Sequence, residues 1–332
     1  MWLVRTLAAT DPDEFATSVR PPSLKILVSE RGRFDASATL IDFGKVRALR
    51  AAERLARTMH IESSRSGVVF QTEPGPDIFW NGALMHYNQV AFCKAGTSNI
   101  FRSTGPSHYA AMTLDAADME AMAESVARRG YAPAPGPAIV SPGTDVMAHL
   151  RAMHAAAGRS ADSLRDLANP VGRAEAIERV LIESLRNIIM TASPRRDTMG
   201  RQHHELVARR FLEALELDSV SPPRMDEISE AIGVSGRTLR LACQEQLGVS
   251  PTQYLLLRRM RLAHRALQQA DPHATTVTDI ATILGFWELG RFSVRYREIF
   301  GESPSSTLKG PCGSSRSLML SDQSIFSPDC TA

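Results

Sequence analysis

Between Arg237 and Arg265, six basic residues (237, 240, 258, 259, 261 and 265) stand against one acid, Glu245, in a chain of 332 residues whose net charge is only +2. Charge placed in this way suits an anionic partner. Arginine has two uses there: its planar fork grips guanine through two hydrogen bonds, or it clamps a phosphate. Two glycine-punctuated stretches supply the frame, IGVSGRTLRLACQEQLGVSP from Ile232 to Pro251 and LGFWELGRFSVRYREIFGESP from Leu284 to Pro304. At an offset of 53, Leu239 falls on Phe292, Cys243 on Tyr296, Leu247 on Phe300, Gly248 on Gly301 and Ser250-Pro251 on Ser303-Pro304. Ahead of the turn the offset is 52, pairing Ile228 with Ile280 and Gly233 with Gly285, so one extra residue enters the second turn.

Each copy spells helix, tight turn, helix. Ile228 and Ile232 share one face of the first helix, and Gly233 permits the left-handed conformation that ends it. Ser235 can cap the next helix, whose apolar positions Leu239, Cys243 and Leu247 recur every four residues. In the second copy Thr276 and Asp279 form a capping signature, and Phe292, Tyr296 and Phe300 line the helix beyond Gly285. Two short helices joined through a glycine turn make the helix-turn-helix arrangement, whose second helix enters a major groove of DNA. Purely structural helical hairpins are the alternative reading, as is a solvated basic face for any single arginine. The connector, PTQYLLLRRMRLAHRALQQA, starts on Ser250-Pro251 and spans about 28 Å as a helix. Successive major grooves on one DNA face lie about 34 Å apart, so such a rod could hold both second helices to one face.

Catalytic chemistry finds less support. There is no G-x-S-x-G, H-E-x-x-H or Walker-type loop. His60, His86 and His108 lie far apart, His203 and His204 are adjacent and so point about 100° apart on a helix, and His149 and His154 are five residues apart. No catalytic residue, metal or cofactor is therefore expected. A metal-dependent cupin-like enzyme or sensor with an accessory helical domain is the competing reading. Cys93, Cys243, Cys312 and Cys330 are scattered without a C-x-x-C, which favours a reducing compartment. No apolar run reaches the roughly 20 residues that cross a bilayer, and the start of the chain makes a poor signal peptide. The expected location is the cytoplasm, at the nucleoid when bound to DNA.

The first 140 residues read as short strands: LKILV from Leu24, ATLIDF from Ala38, GVVFQ from Gly67, and DIFW-NG-ALMHY, where Asn81-Gly82 signals a type I′ hairpin. Residues 46–59 are open to a helical reading. Helices are expected over 115–128, 145–157 and 173–190, and almost continuously from 203 to 309. Ile177, Leu181, Leu185 and Ile188 form one stripe that packs within the chain or at a dimer seam. The reading is an α+β protein: residues 1–140 a mostly β sensor or dimerisation domain, 141–200 a linker with interdomain helices, 201–309 an all-α DNA-binding domain with helix-turn-helix modules at 225–247 and 277–300, and 310–332 a disordered tail. Phe79, Trp80, Tyr87 and Phe92 are candidates for an effector pocket, with a strand core as their other reading.

The helical region resembles the AraC/XylS-type family of bacterial transcription regulators. The resemblance is carried by I-x-x-x-I-G-V-S-x-R-T-L-R, by G-V-S-P-T-Q-Y-L, by R-R-M-R-L-A-x-x-A-L in the connector, and by I-A-x-x-x-G-F with R-F-S-x-x-Y-R-E-I-F-G-x-S-P in the second copy. It covers roughly residues 202–309. It implies two modules joined by a linker helix and inserted into adjacent major grooves. Ser235, Arg237, Thr238, Arg240 and Leu241 would then face bases from the first, and Leu289, Gly290 and Arg291 from the second. Arg258, Arg261, Arg265, Arg295 and Arg297 would meet phosphates. Trp287-Glu288-Leu289-Gly290 and Val294 depart from the family pattern, which points to the first module as the larger source of specificity. The strand-rich half resembles the cupin-like sensor domains often joined to this unit. The implied partners are double-stranded DNA, RNA polymerase for an activator, a small-molecule effector and a second copy of the chain, with no membrane.

Overall fold

The computed structural model describes residues 2–19, 23–128, 139–163, 170–191, 193–194, 199–217 and 225–310. The expected tail from 311 onward, and most of the Pro/Gly-rich segment before Ile139, lie outside them.

The chain opens with β1 (Leu3–Ala9), α1 (Pro12–Val19), β2 (Ser23–Val28), β3 (Ala36–Asp42), β4 (Arg47–Glu53), β5 (Arg57–Glu62) and β6 (Ser66–Gln71). It continues through β7 (Ile78–Trp80), β8 (Ala83–Met85), β9 (Val90–Cys93), β10 (Ser98–Ser103), β11 (Ser107–Leu114), α2 (Ala116–Ala127) and β12 (Ile139–Ser141). Residues 47–62 are thus two strands, not the helix that 46–59 left open. Asn81 and Gly82 have φ of 47° and 71°, the double positive φ that a type I′ hairpin requires. Helical segments follow: α3 (Thr144–Ser163), α4 (Pro170–Thr191), the short β13 (Ser193–Pro194), α5 (Met199–Leu217), α6 (Met225–Ala231), α7 (Gly236–Leu247), α8 (Pro251–Gln269), α9 (Val277–Ile283), α10 (Leu289–Phe300) and α11 (Pro304–Lys309).

All strand pairs are antiparallel, in two sheets with orders β1-β3-β4-β11-β6-β9-β12-β13 and β2-β5-β10-β7-β8. Alternation along the strands sorts side chains into layers. In β6, Val69 faces the gap between the sheets, where Met59, Trp80, Phe101 and Tyr109 meet it, while Val68 and Phe70 face outward. There they pack against Leu150 of α3 and Leu181, Leu185 and Ile188 of α4. Burial on both faces explains why β6 reads as an unbroken apolar run.

The stripe on α4 therefore packs within its own chain. That corrects the domain reading: α3 and α4 are not a linker but the outer layer of the strand-rich half. Glu178 fastens the layer by accepting hydrogen bonds from the amides of Lys45 (2.6 Å) and Val46 (3.0 Å) in the β3–β4 turn. On the far side of the smaller sheet, Ile100 of β10 points away from Phe101 and enters a third apolar cluster with Phe211, Leu215, Leu239, Cys243 and Leu247. The order of layers is helices, sheet, sheet, helices. The second helical layer is the region that the sequence marks for DNA.

Candidate nucleic-acid interface

The two copies fold by the same local rules. At the first turn Gly233 has φ of 70°, its amide bonds the Glu230 carbonyl (3.0 Å), and the Val234 amide bonds Ser229 (3.1 Å). At the second, Gly285 has φ of 77°, and the equivalent bonds run from Gly285 to Thr282 (3.0 Å) and from Phe286 to Ala281 (2.9 Å). Ser235 then caps α7 by accepting from the Thr238 amide at 3.1 Å. Thr276 and Asp279 complete a reciprocal capping box at α9. The shared ending is a stop and a restart. Gly248 and Gly301, with φ of 75° and 76°, close α7 and α10, and Ser250-Pro251 and Ser303-Pro304 cap and begin α8 and α11.

Burying Leu239, Ala242, Cys243, Gln246 and Leu247 turns the opposite face of α7 to solvent. That face carries Ser235, Arg237, Arg240 and Leu241, all exposed, with Thr238 half-buried beside them. Glu245, the one acid among residues 237–265, is turned away and held by Arg201 and His204 of α5. The exposed end of α7 is therefore positive without a competing carboxylate. On α10, Phe292 and Tyr296 are buried, and Leu289, Gly290, Arg291, Arg295 and Arg297 are exposed. Arg291 is ion-paired with Glu288 (2.9 Å) and Arg295 with Glu298 (3.4 Å), both one turn away on the same surface. Exposed pairs of this kind are weak and exchange readily for a phosphate.

The connector needs a correction. Of its expected phosphate ligands only Arg265 is exposed. Arg258 donates to the Leu215 carbonyl at 2.7 Å, and Arg261 lies 3.4 Å from Asp13 of α1 with its side chain 16% exposed. Both lie on the side of α8 that faces α5 and the strand-rich half. Arg259, which was not a candidate, sits 5.4 Å over the Phe286 ring and ties the connector to the second turn.

The four aromatics proposed for an effector pocket do not meet. Trp80 belongs to the cluster between the sheets and Phe92 to the cluster beneath α3 and α4. Phe79 is capped by the Arg102 guanidinium (3.7 Å) and Tyr87 by that of Arg151 (3.6 Å). The space between the sheets is filled by Arg57, itself fully buried, paired with Glu53 and stacked over Phe101 and Tyr109. A cavity of about 250 Å³ lies elsewhere, between the smaller sheet and the helical layer. Lys25, His60, Arg258 and Arg261 line it beside Leu215 and Tyr254, and no single sequence motif marks it. Among the described residues no three His, Cys, Asp or Glu side chains form a metal-binding group, and no helix is long and apolar enough to cross a membrane.

Residues 228–310 match the family described as HTH_18, a helix-turn-helix domain. The chain is 36% identical over 103 residues to the probable thc operon regulatory protein of Rhodococcus erythropolis, covering 31% of each. It is 32% identical over 100 residues to the XylDLEGF operon transcriptional activator 2 of Pseudomonas putida, covering 29% of this chain and 64% of that one. A crystal structure of a probable AraC family transcriptional regulator from Rhodopseudomonas palustris CGA009 is 35% identical and 94% covered, by 31% of this chain, with a TM-score of 0.28. Through this region the chain belongs to the AraC/XylS-type family. The matched residues run from within α6 to the end of α11. The match to the first curated relatives spans from about a third to under two thirds of their length, so the AraC/XylS-type assignment speaks for this region first.

Proposed function

We propose that the chain is a sequence-specific DNA-binding regulator of transcription, with α7 and α10 as the helices that enter successive major grooves. The supporting observation is the face of α7, where Arg237 and Arg240 stand exposed beside Ser235, Thr238 and Leu241 while Glu245 is held on the far side. Arg237, in the first turn, is assigned to a base and Arg240 to a base or phosphate. On the second module Leu289, Gly290 and Arg291 face the groove, and Arg265, Arg295 and Arg297 neutralise phosphates. The reach of α8, about 28 Å over 19 residues, suits the roughly 34 Å between grooves once the modules' own offsets are added.

The strand-rich half is the cupin-like sensor in this reading. An effector would occupy the cavity between the smaller sheet and α8, where cationic and apolar side chains together suit a small anion with an apolar body. RNA polymerase and a second copy of the chain are the remaining proposed partners. The test is a selection of bound sequences from a random DNA pool, followed by salt titrations on the selected site. Arg237→Ala should lose affinity for the selected site while keeping its non-specific binding. Equal loss on every DNA would defeat the assignment of Arg237 to a base, and a selection returning no motif would defeat the function.

A further inference from the structure

The internal repeat shows what the second module lacks. At the 53-residue offset Arg237 becomes Gly290, Arg240 becomes Ser293, and Leu241 becomes Val294. Both arginines that suit guanine are gone from α10. The apolar side chain is kept, and it is exposed in both copies: Leu241 by 50% and Val294 by 63%. In each copy this apolar side chain stands on the solvent-facing side of its helix, beside the residues that the first module turns toward a groove.

The hydrogen bonds of the two turns also locate the extra residue. Val234 and Phe286 make equivalent bonds and both pack inward, Val234 against the cluster of Leu239 and Cys243 and Phe286 against that of Phe292 and Tyr296. The 52-residue offset therefore holds through 286. It becomes 53 at the caps, Ser235 and Glu288. The inserted residue is Trp287, whose side chain is 79% exposed immediately ahead of α10. Leu289, 36% exposed, follows it at the start of the helix. The one arginine left in the first turn, Arg291, is exposed and shares its charge with the neighbouring Glu288 at 2.9 and 3.1 Å, an acid that α7 does not set beside Arg237.

We infer that α10 reads thymine, by apolar contact of Trp287 and Val294 with the C5 methyl groups displayed in the major groove. This rests on the DNA-binding reading proposed above and assigns a base class to its second half. The thymine methyl is the apolar group of the major-groove edge, and apolar side chains recognise it by contact. Arg295 and Arg297 on the same helix supply the charge that brings this face to a polyanion. The operator is accordingly asymmetric: guanine contacts lie under α7, and a thymine-bearing step lies under α10.

The experiment uses the full chain and the site returned by the selection. Thymines are replaced one at a time by deoxyuridine, which removes only the C5 methyl, and affinity is measured by fluorescence anisotropy at fixed salt. Loss of about fourfold for each methyl buried is expected, confined to one end of the site. That sensitivity should vanish in Trp287→Ala and Val294→Ser, and persist in Arg237→Ala. A selected site that binds through Arg237 but tolerates deoxyuridine throughout would overturn this inference alone. So would a Trp287→Ala, Val294→Ser double variant that keeps its thymine dependence, which would leave the patch to a protein partner. A selection without any motif would overturn both this inference and the reading beneath it.

Discussion

Thr58 of β5 donates its hydroxyl to the carbonyl of Leu247, the last residue of α7, at 3.0 Å in a buried setting. This bond joins the strand-rich half directly to the helix that carries Arg237. Around it the same seam gathers Ile100 in the apolar cluster of α5 and α7, the Asn81-Gly82 turn against Gln246, and Asp13 against Arg261. Thr58→Val keeps the shape and removes the donor, leaving a buried helix-terminal carbonyl without this partner. A loss of about 1 kcal/mol is expected in urea unfolding. If the two halves communicate through this seam, the variant will also show a changed affinity for the selected DNA site.

Gly248 and Gly301 occupy equivalent places in the repeat, with nearly the same φ, yet their surroundings differ. A Cβ on Gly301 would meet nothing within 4 Å, whereas one on Gly248 would lie 2.8 Å from Cδ of Arg102 on β10. Gly301→Ala should therefore cost only the left-handed backbone, about 1 to 2 kcal/mol. Gly248→Ala should cost more, because Arg102 must leave the Phe79 ring that it covers. Thermal unfolding of the two variants side by side checks the order, and equal losses would show that Arg102 yields freely.

The repeat was legible because it is written in local chemistry. A glycine that ends a helix, a serine that caps the next and a proline at its first turn act within a few residues, so Gly248-Val249-Ser250-Pro251 announces its own conformation. The seam was not legible, because Thr58, Arg102 and Asp13 meet α7 and α8 from more than a hundred residues away and leave no periodic trace. Arg258 and Arg261 were misplaced for that reason: the apolar stripe of α8 left them outside, and a second surface then covered them. Phe79 and Trp80 were misplaced for a reason that the sequence did contain. Neighbours on a strand point to opposite faces, so the two could not line one pocket.

Arg265 and Arg258 separate charge that is proposed to meet DNA from charge that holds the fold. Arg265 is exposed, and no other described residue forms an ion pair with it; Arg258 is bound to the Leu215 carbonyl. Arg265→Ala should reduce the slope of log affinity against log salt by about 1, with little change in stability. Arg258→Ala should leave that slope unchanged and lower stability by about 1.5 to 3 kcal/mol, the range for a hydrogen bond from a charged group. A salt titration with unfolding curves on each variant distinguishes them. A lowered slope for Arg258→Ala would place it on the DNA after all.

His154 of α3 gives the strand-rich half an acid limit. Its ring packs edge-on to Phe70 at 5.5 Å, and burial, aided by the charge of Arg50, pushes its imidazole from 6.5 down to about 4. Below pH 6.5 the unfolded chain takes up a proton that the folded chain refuses, so stability is full above that pH and falls as pH drops toward about 4. Between pH 7.5 and pH 5 the loss from this one residue is about 2 kcal/mol. His60 and His264 are also held down by burial and add in the same direction. His154→Phe keeps an aromatic ring against Phe70 and cannot take a proton, so its urea midpoint should fall less over this interval, by the His154 share. If the variant and the parent chain lost stability in parallel, the imidazole of His154 would be reaching water in the folded state.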